Sequence, residues 1–464
     1  MDATELAFAG IARQAELIRS REVSPTELVD LYLDRIERID PRLNAFRCVE
    51  AERARAEAKQ AEGRAGAGGE RPLLGVPVAV KDNIDVAGEI TAHGSASYDG
   101  PAREDAKMVA RLREAGAIVI GRTHMPELAI WPATESDAWG ISRNPWDTSR
   151  TCGGSSGGSG AAVAAGLVGA GVATDGGGSI RIPAACCGLV GLKTQRGRVP
   201  LSGADEHWHG LSVAGSVTRY TIDTALWLDV VSGGAGAPDP DRPFAESAAT
   251  PPGKLRIALS TKSPDPLTKV TEPVRRAIEG MADLLRSLGH EVHERDPDVG
   301  WLLPLFLPRW ARGISDDVDE SPHPEALETR TRRLAVLGRL IGERGVRWAR
   351  AREAGRAARI NQVFDHADVL LMPTMPHPPD VAGFYARAGA VRSIDRGAST
   401  VVFTNIWNLT GQPAAAVPTP QTGPGGIPLS AQFVGRPNDE ATLLSLAAQL
   451  EAEIGWPERR PPVG

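Results

Sequence analysis

The chain has 464 residues, of which 42% are hydrophobic and 24% are charged. This balance is typical of a soluble globular protein and excludes a disordered, collagen-like or coiled-coil chain. The 52 basic and 58 acidic residues leave a net charge of -6, so no long-range positive field favours a phosphate backbone or an anionic membrane. We therefore expect neither nucleic acid nor a membrane as a partner.

The N-terminal segment and the cysteines indicate the cellular compartment. Residues 1–23 are charged throughout and lack the apolar stretch of a signal peptide. No apolar run approaches the roughly 20 residues that a membrane helix needs. The sequence contains no C-x-x-C pair among its four cysteines, which are Cys48, Cys152, Cys186 and Cys187. Reduced thiols and no signal peptide predict a cytoplasmic protein.

The first 65 residues are predicted to be helical. Residues 24–27 (SPTE) form a capping box with proline at the first helical position. Apolar residues then recur at spacings of three and four as far as Asp40-Pro41, where we expect the helix to end. This N-terminal segment, about residues 1–65, is expected to lay an amphipathic face on a core.

Two apolar strands with a helix between them follow. Residues 75–80 (GVPVAV) run directly into Lys81, helical spacing covers residues 104–116, and residues 117–120 (AIVI) read as the next strand. This alternation indicates βα units on a sheet that helices cover on both faces. Lys81 is therefore predicted to lie at the carboxyl end of a buried strand.

The second half of the chain continues the alternation. A helix is predicted over residues 272–288, and an arginine-rich helix over residues 325–362 places Leu334, Leu337 and Leu340 on one face. Because these arginines alternate with glutamate and alanine in an acidic protein, they indicate a solvated helix face. Strands and a last helix are predicted at residues 255–260, 290–294, 369–376, 410–418, 428–435 and 439–453.

Glycine is concentrated in the middle of the chain, where residues 151–200 hold 14 of the 51 glycines. Glycine costs backbone entropy on folding, so this density indicates positive φ angles or close backbone approach. The segments TCGGSSGGSG (151–160) and ATDGGGSIRIPA (173–184) contain Ser155 and Ser179. These serines and Lys81 are the candidates for chemistry.

Other kinds of site fit these glycines less well. Neither nucleotide-binding motif, G-x-x-x-x-G-K-[ST] or G-x-G-x-x-G, occurs in its strand–helix context. Residues 153–157 fit the G-x-S-x-G motif of Ser–His–Asp hydrolases, but a polar, loop-like segment precedes them and no histidine is a clear base. His207 and His209 flank Trp208 with no third ligand in view, so we expect no metal site. No cofactor is expected.

A lysine base is the remaining interpretation. A serine nucleophile needs a base within hydrogen-bond reach, and burial can lower the pKa of a lysine enough for it to serve. Lysine is scarce, with seven among the 52 basic residues, so Lys81 in its apolar run indicates a purpose beyond charge. Three glycines before Ser179 would expose the N–H groups that a tetrahedral oxyanion requires. Together these parts favour acyl transfer, although each alone also fits a surface ion pair or a turn.

At these motifs the chain resembles the amidase signature hydrolases. The resemblance implies an α/β fold with a large mixed β-sheet covered by helices on both faces. It implies a single domain over residues 1–464, with a signature core at about 70–235 and a variable, substrate-side helical region at about 300–362. The matching segments are GVPVAVKDNIDVAG (75–88), TCGGSSGGSGAAVAAG (151–166), TDGGGSIRIPAACCGLVGLK (174–193), GLSVAGSVTR (210–219), GQPAAAVP (411–418) and IPLSAQFVG (427–435).

The resemblance also implies roles for single residues in cleaving a carboxamide to an acid and an amine or ammonia. Lys81 would be the base, Ser155 the bridging serine on a cis peptide bond, and Ser179 the nucleophile that carries the acyl group. Arg181 is expected to be structural. Gly176 stands where many members carry a larger residue. The implied oxyanion hole consists of the N–H groups of Gly176, Gly177, Gly178 and Ser179.

The substrate is predicted from the tryptophans and the glycines. Trp131, Trp208 and Trp407 are predicted to line the pocket, and indoles suit an apolar or aromatic group, although each also fits core packing. The triple glycine is similar to that of linear and cyclic oligoamide hydrolases in the family. Trp139, Trp301 and Trp310 also lie where the resemblance places the substrate channel.

Two alternatives stay open beside a stand-alone amidase with a small-molecule amide substrate. One is the glutamine-hydrolysing subunit of a tRNA-dependent amidotransferase, which the low number of tyrosines, four in all, disfavours. The other is a noncatalytic binding protein on the same scaffold, which the presence of Lys81, Ser155 and Ser179 together disfavours. A homodimer is the oligomer considered.

Overall fold

The structure, a computed structural model, describes residues 1–65, 71–201, 206–234 and 236–464. The two approximate boundaries predicted for the signature core, residues 70 and 235, lie outside the described residues.

Most strands belong to one large sheet. Their bounds are β1 Phe46–Val49, β2 Pro77–Lys81, β3 Ile118–Thr123, β4 Glu135–Ser136, β5 Gly140–Ile141, β6 Ala170–Asp175, β7 Val190–Lys193, β8 Val213–Thr218, β9 Arg256–Leu259, β10 Glu291–Glu294, β11 Val369–Pro373, β12 Ala414–Thr422 and β13 Pro428–Val434. The 11-stranded sheet has the order β1-β3-β2-β6-β8-β7-β12-β13-β11-β9-β10, and β4 and β5 form a separate pair. Strand β2 runs parallel to β3 and β6, and β9 runs parallel to β10 and β11. The other neighbours are antiparallel, so the sheet is mixed.

The helices connect these strands. None of the helices in the described ranges is long and apolar enough to cross a membrane. Their bounds are α1 Ala3–Ala7, α2 Gly10–Arg19, α3 Pro25–Leu43, α4 Ala51–Ala65, α5 Lys107–Glu114, α6 Gly157–Ala164, α7 Arg181–Cys187, α8 Thr221–Val231, α9 Phe244–Ala248, α10 Glu272–Ser287, α11 Leu303–Glu320, α12 Thr329–Asn361, α13 Phe384–Arg387, α14 Ala390–Thr400, α15 Asn405–Thr410 and α16 Glu440–Ile454.

Both faces of the sheet are buried. Along β11, Val369 and Leu371 belong to one hydrophobic core, whereas Leu370 and Met372 belong to a second. Successive side chains of a strand point to opposite faces, so the two cores lie on opposite sides of the sheet. Helices such as α3, α8 and α10 contribute to the first core, and α11, α12 and α15 to the second. The predicted α/β fold with a large mixed sheet covered on both faces is confirmed.

Some local predictions were wrong. The predicted all-helical segment contains β1, which pairs with the edge of β3. Helix α3 runs past Pro41 to Leu43 and ends at Asn44, whose φ of 54° places it in the left-handed region. Helix α12 is kinked at Gly342, with a φ of 56°, and on its predicted leucine face Leu334 is buried whereas Leu340 is 80% exposed.

Candidate active site

The ends of two parallel strands bring Lys81 and Thr174 together. Strands β2 and β6 are parallel neighbours, so their carboxyl ends meet at the same edge of the sheet. Nζ of Lys81 donates to Oγ1 of Thr174 at 2.9 Å. Nδ2 of Asn83 donates to the same hydroxyl oxygen at 3.0 Å. The lysine is therefore held in place by side chains from both strand ends.

Ser155 reaches the lysine from the glycine-rich segment before α6. Its Oγ lies 2.7 Å from Nζ of Lys81, and both residues are 0% exposed. The Gly154–Ser155 peptide bond is cis. A Cβ at Gly154 would lie 2.6 Å from the backbone nitrogen of Ala133, so only glycine fits this close approach. The structure therefore brings Lys81 and Ser155 into direct contact.

Burial disfavours the charged form of Lys81. It lowers the pKa of Lys81 from 10.5 to about 7, against the opposing influence of the Asp175 charge. The carboxylate of the next residue, Asp82, lies 2.8 Å from Arg47 and 3.5 Å from Arg122. Lys81 is therefore far more readily neutral near pH 7 than an exposed lysine.

Ser179 lies in the loop between β6 and α7. It lines a cavity together with Gly154 and Gly177. The backbone N–H of Ser156 donates to the carbonyl oxygen of Ser179 at 3.1 Å, which ties the segments of the two candidate serines to each other. Gly178 has a φ of 135°, and a Cβ there would lie 2.4 Å from Oγ1 of Thr404. The loop before Ser179 therefore requires glycine at this position.

The carboxylate of Asp175 anchors this loop. Its Oδ1 accepts from the N–H of Gly178 at 2.7 Å, and its Oδ2 accepts from the N–H of Ile180 at 3.1 Å. The prediction that Gly178 contributes to the oxyanion hole is therefore wrong, because its N–H is already bonded to Asp175. Within the described ranges, the N–H groups of Gly176, Gly177 and Ser179 have no acceptor. Of these three residues, Gly177 and Ser179 line the cavity.

Arg181 completes the anchor. Its Nε and Nη2 donate to the two oxygens of Asp175 at 3.0 and 2.8 Å, and Nη1 donates to Oε1 of Gln432 at 2.7 Å. Burial acts to raise the pKa of Asp175, but the charge and hydrogen bonds of Arg181 outweigh it and hold the pKa well below its usual range. Arg181 is fully buried, and the prediction that it is structural is confirmed.

The cavity beside Ser179 has a volume of about 140 Å³. None of the described residues that line it is charged. Helix α11 supplies a large part of the apolar wall, and the loop before β4 supplies another part. The largest of the lining side chains are Trp131, Trp208, Trp310 and Phe306.

The predicted tryptophans have different locations. Trp131 and Trp208 line the cavity, whereas Trp407 does not. Trp407 is 0% exposed and belongs to the second core, so the prediction for this residue was wrong. Residues two apart on a helix point in different directions, and on α15 it is Asn405 that faces the cavity. Trp301 is largely exposed.

Comparisons with known proteins place this arrangement in a family. Residues 27–444 match the family described as Amidase. The chain belongs to the amidase family. It is 49% identical over its full length to the full-length Mycobacterium tuberculosis protein that carries the name "Putative amidase AmiB2". It is 34% identical to the 6-aminohexanoate-cyclic-dimer hydrolase of Paenarthrobacter ureafaciens, over 97% of this chain and 95% of that protein.

Solved structures agree with this assignment. The structure of a 6-aminohexanoate cyclic dimer hydrolase complexed with substrate matches this amidase with a TM-score of 0.92 and 30% identity. The match covers 98% of this chain and 99% of the other. The protein is therefore a hydrolase that acts on amides.

Thr174 and Asp175 are residues of the site that were not predicted. Both are polar and directly follow the apolar stretch 170–173 at the end of β6. Lys81 was recognised by that same position, at the carboxyl end of an apolar strand. The same criterion applied to β6 would have found both residues.

Proposed function

We propose that this amidase hydrolyses small uncharged carboxamides through an acyl-enzyme on Ser179, with Lys81 as the base and Ser155 as the bridging serine. One observation carries the proposal: Nζ of Lys81 is fully buried and lies 2.7 Å from Oγ of Ser155. A neutral amine in that position can accept a proton, whereas an exposed lysine stays charged near pH 7.

Acylation begins at Ser179. Neutral Lys81 takes the proton of Ser155, and Ser155 takes the proton of Ser179. At the same time Oγ of Ser179 bonds to the amide carbon. The carbonyl oxygen gains the negative charge and accepts from the free N–H groups of Gly176, Gly177 and Ser179. The proton then passes through Ser155 to the amide nitrogen, the C–N bond breaks, and the amine leaves.

Deacylation uses the same groups. Water attacks the ester carbon of the acylated Ser179, and its proton passes to Ser155 while the proton of Ser155 passes to Lys81. The ester bond breaks, Ser179 recovers a proton through the relay, and the carboxylic acid leaves. The balance is one amide and one water to one acid and one amine or ammonia, and no cofactor enters the sequence of steps.

The cavity supports an apolar or aromatic group on the substrate. Its volume of about 140 Å³ is close to the roughly 150 Å³ of an apolar cavity that binds benzene. The similarity to a 6-aminohexanoate-cyclic-dimer hydrolase supports an uncharged oligoamide as a second form of the same class. Glutamine fits less well, because none of the described residues in the cavity wall carries a charge that could pair with its α-amino and α-carboxylate groups.

Ser179→Ala tests the proposal. Wild-type enzyme is incubated with aryl amides, aliphatic amides, a cyclic oligoamide and glutamine, and acylation is followed by mass spectrometry of the Ser179 peptide. We expect turnover of uncharged amides, an acyl mass on Ser179, and loss of both in Ser179→Ala. Ser216→Ala is the control, because Ser216 is a fully buried serine whose hydroxyl has no hydrogen-bond partner among the described residues, whereas Ser179 is partly exposed in the cavity.

Three outcomes would contradict the proposal. An undiminished rate in Ser179→Ala would exclude Ser179 as the nucleophile. No turnover of any amide by a folded wild-type enzyme would favour the noncatalytic binding protein instead. A strong preference for glutamine over the uncharged amides would favour the amidotransferase subunit.

A further inference from the structure

One face of α11 continues from the cavity to a buried carboxylate. Phe306, Trp310, Gly313 and Asp317 follow each other at spacings of four, three and four residues, which places them on the same side of the helix. Phe306 and Trp310 line the cavity. Gly313 and Asp317 instead contact Trp208, which lines the same cavity from a different part of the chain.

The indole of Trp208 fills the space between α11 and the loop before Ser179. Its Nε1 donates to Oδ2 of Asp317 at 2.9 Å. A Cβ at Gly313 would lie 2.4 Å from Cδ1 of Trp208, and a Cβ at Gly176 would lie 2.7 Å from Cε3. The lack of a side chain at Gly176 therefore leaves the space that this indole occupies.

Asp317 is itself held by a second partner. Its Oδ1 lies 3.0 Å from Nε2 of His207, and Nδ1 of His207 lies 2.9 Å from Oγ of Ser212. Burial acts to raise the pKa of Asp317, but the charge and hydrogen bond of His207 outweigh it and lower the pKa. An ionised Asp317 gives the indole N–H a strong acceptor.

The backbone of Trp208 needs this support. Trp208 and His209 have φ angles of 49° and 53°, a left-handed conformation that is unfavourable for two successive residues with side chains. Nε and Nη2 of Arg309 donate to the carbonyl oxygen of His209 at 3.0 and 2.7 Å, and Nε2 of His209 lies 3.1 Å from Asp316. His207 and His209 thus pair with different carboxylates on α11.

We propose that Trp208 is the wall that limits the size of the substrate's apolar group, and that Asp317 and His207 are the positioning residues that hold it there. The proposal rests on the proposed function of the cavity beside Ser179. The three aromatic side chains Trp208, Trp310 and Phe306 then act as one wall, because α11 carries two of them and fixes the third.

A selectivity measurement tests this role. Straight-chain primary amides from four to ten carbons and N-alkyl acetamides of the same lengths are hydrolysed by wild type and variants, and kcat/KM is measured for each. For each series we take the ratio of kcat/KM for the longest amide to kcat/KM for the shortest. In Trp208→Ala we expect this ratio to rise at least tenfold in one of the two series. Asp317→Leu, which removes the acceptor, should shift the ratio in the same direction.

Two variants separate positioning from general damage to the fold. Asp317→Asn keeps an oxygen that can accept from the indole, so its ratio should stay within about threefold of wild type. Asp319→Asn, two residues away on the same helix and paired with the exposed Arg339, should leave the ratio unchanged. Should Trp208→Ala or Asp317→Leu not fold, Trp208→Phe preserves most of the packing and should raise the ratio about threefold.

The failure of this inference is distinguishable from failure of the proposed function. Suppose that Trp208→Ala and Asp317→Leu fold and still hydrolyse amides, but their kcat/KM ratios match those of wild type in both series. That result would overturn the role of Trp208 and leave the Ser179 chemistry intact. Undiminished hydrolysis in Ser179→Ala, or no hydrolysis by wild type, would overturn the proposed function and with it the basis of this inference.

Discussion

Replacing Lys81 by Met should abolish turnover and at the same time stabilise the fold. Methionine has a similar length, no charge and no proton-accepting nitrogen. The free energy of unfolding should rise because the folded protein no longer keeps an ionisable amine out of water. An active-site residue that costs stability is expected where function requires a perturbed side chain.

The magnitude follows from the pKa. Burial lowers the pKa of Lys81 from 10.5 to about 7, which corresponds to about 5 kcal/mol against the charged form. Methionine removes this cost but leaves Ser155 without its hydrogen-bond partner, at about 1–3 kcal/mol. A net stabilisation of about 1–3 kcal/mol is therefore expected near neutral pH.

The dependence on pH has a defined sign. Between about pH 7 and the pKa of the unfolded lysine, 10.5, the unfolded wild-type chain binds more protons than the folded one, so wild-type stability rises with pH. From about pH 7.5 to about pH 9.5, the advantage of Lys81→Met should shrink by about 2–3 kcal/mol. The assay is urea unfolding of both proteins at each pH, together with kcat/KM on an uncharged amide.

Lys59→Met is the matched control for this prediction. Lys59 lies exposed on α4. The difference in free energy of unfolding between Lys59→Met and wild type should therefore be the same at each pH, and turnover should not fall. If the free energies of unfolding of wild type and Lys81→Met changed with pH in parallel, the reasoning would be refuted, because folding would then not change the proton affinity of Lys81. Turnover retained in Lys81→Met would refute its role as the base.

Three further predictions follow from the same contacts. The logarithm of kcat/KM should rise with a slope of one up to about pH 7 and then level off, because Lys81 accepts a proton only when neutral; a flat acidic limb would contradict this. Arg181→Met leaves Asp175 buried without its cation and should lower the free energy of unfolding by about 3–5 kcal/mol, measured with urea; a loss below about 1 kcal/mol would count against a structural ion pair. Gly178→Ala should lower kcat by about 100-fold or more by moving the loop before Ser179. Gly253 is the control: it has a φ of 69°, and a Cβ there would have no described atom within 4 Å, so Gly253→Ala should not change kcat. Equal rates in the two variants would contradict the prediction.

Local patterns predicted most regular elements. The predicted helix 272–288 is α10, Glu272–Ser287, and the predicted strand 428–435 is β13, Pro428–Val434. In both, the spacing of apolar residues reflects burial of one face or of the whole strand, and neither needs a distant partner to be recognised. The position of Lys81 after an apolar run was recognisable for the same reason.

Elements that depend on a distant neighbour were missed. Strand β1 is four residues long and exists because the edge of β3 offers it hydrogen bonds. Its sequence follows a strong helix and carries no alternation long enough to indicate a strand. Periodicity placed Leu340 on the same helix face as Leu334, but α12 is kinked at Gly342, and Leu340 is exposed whereas Leu334 is buried.

The sequence by itself determined which chemistry is available: a lysine after an apolar strand, and two serines in glycine-rich segments that match one family. The tertiary structure decided which of these groups is free to act. It bonded the N–H of Gly178 to Asp175, placed Trp407 in the core, and set Trp208 against Gly176 and α11. The physical reason is that proton affinity, free hydrogen-bond donors and cavity walls depend on groups that lie far apart along the chain and meet only when it folds.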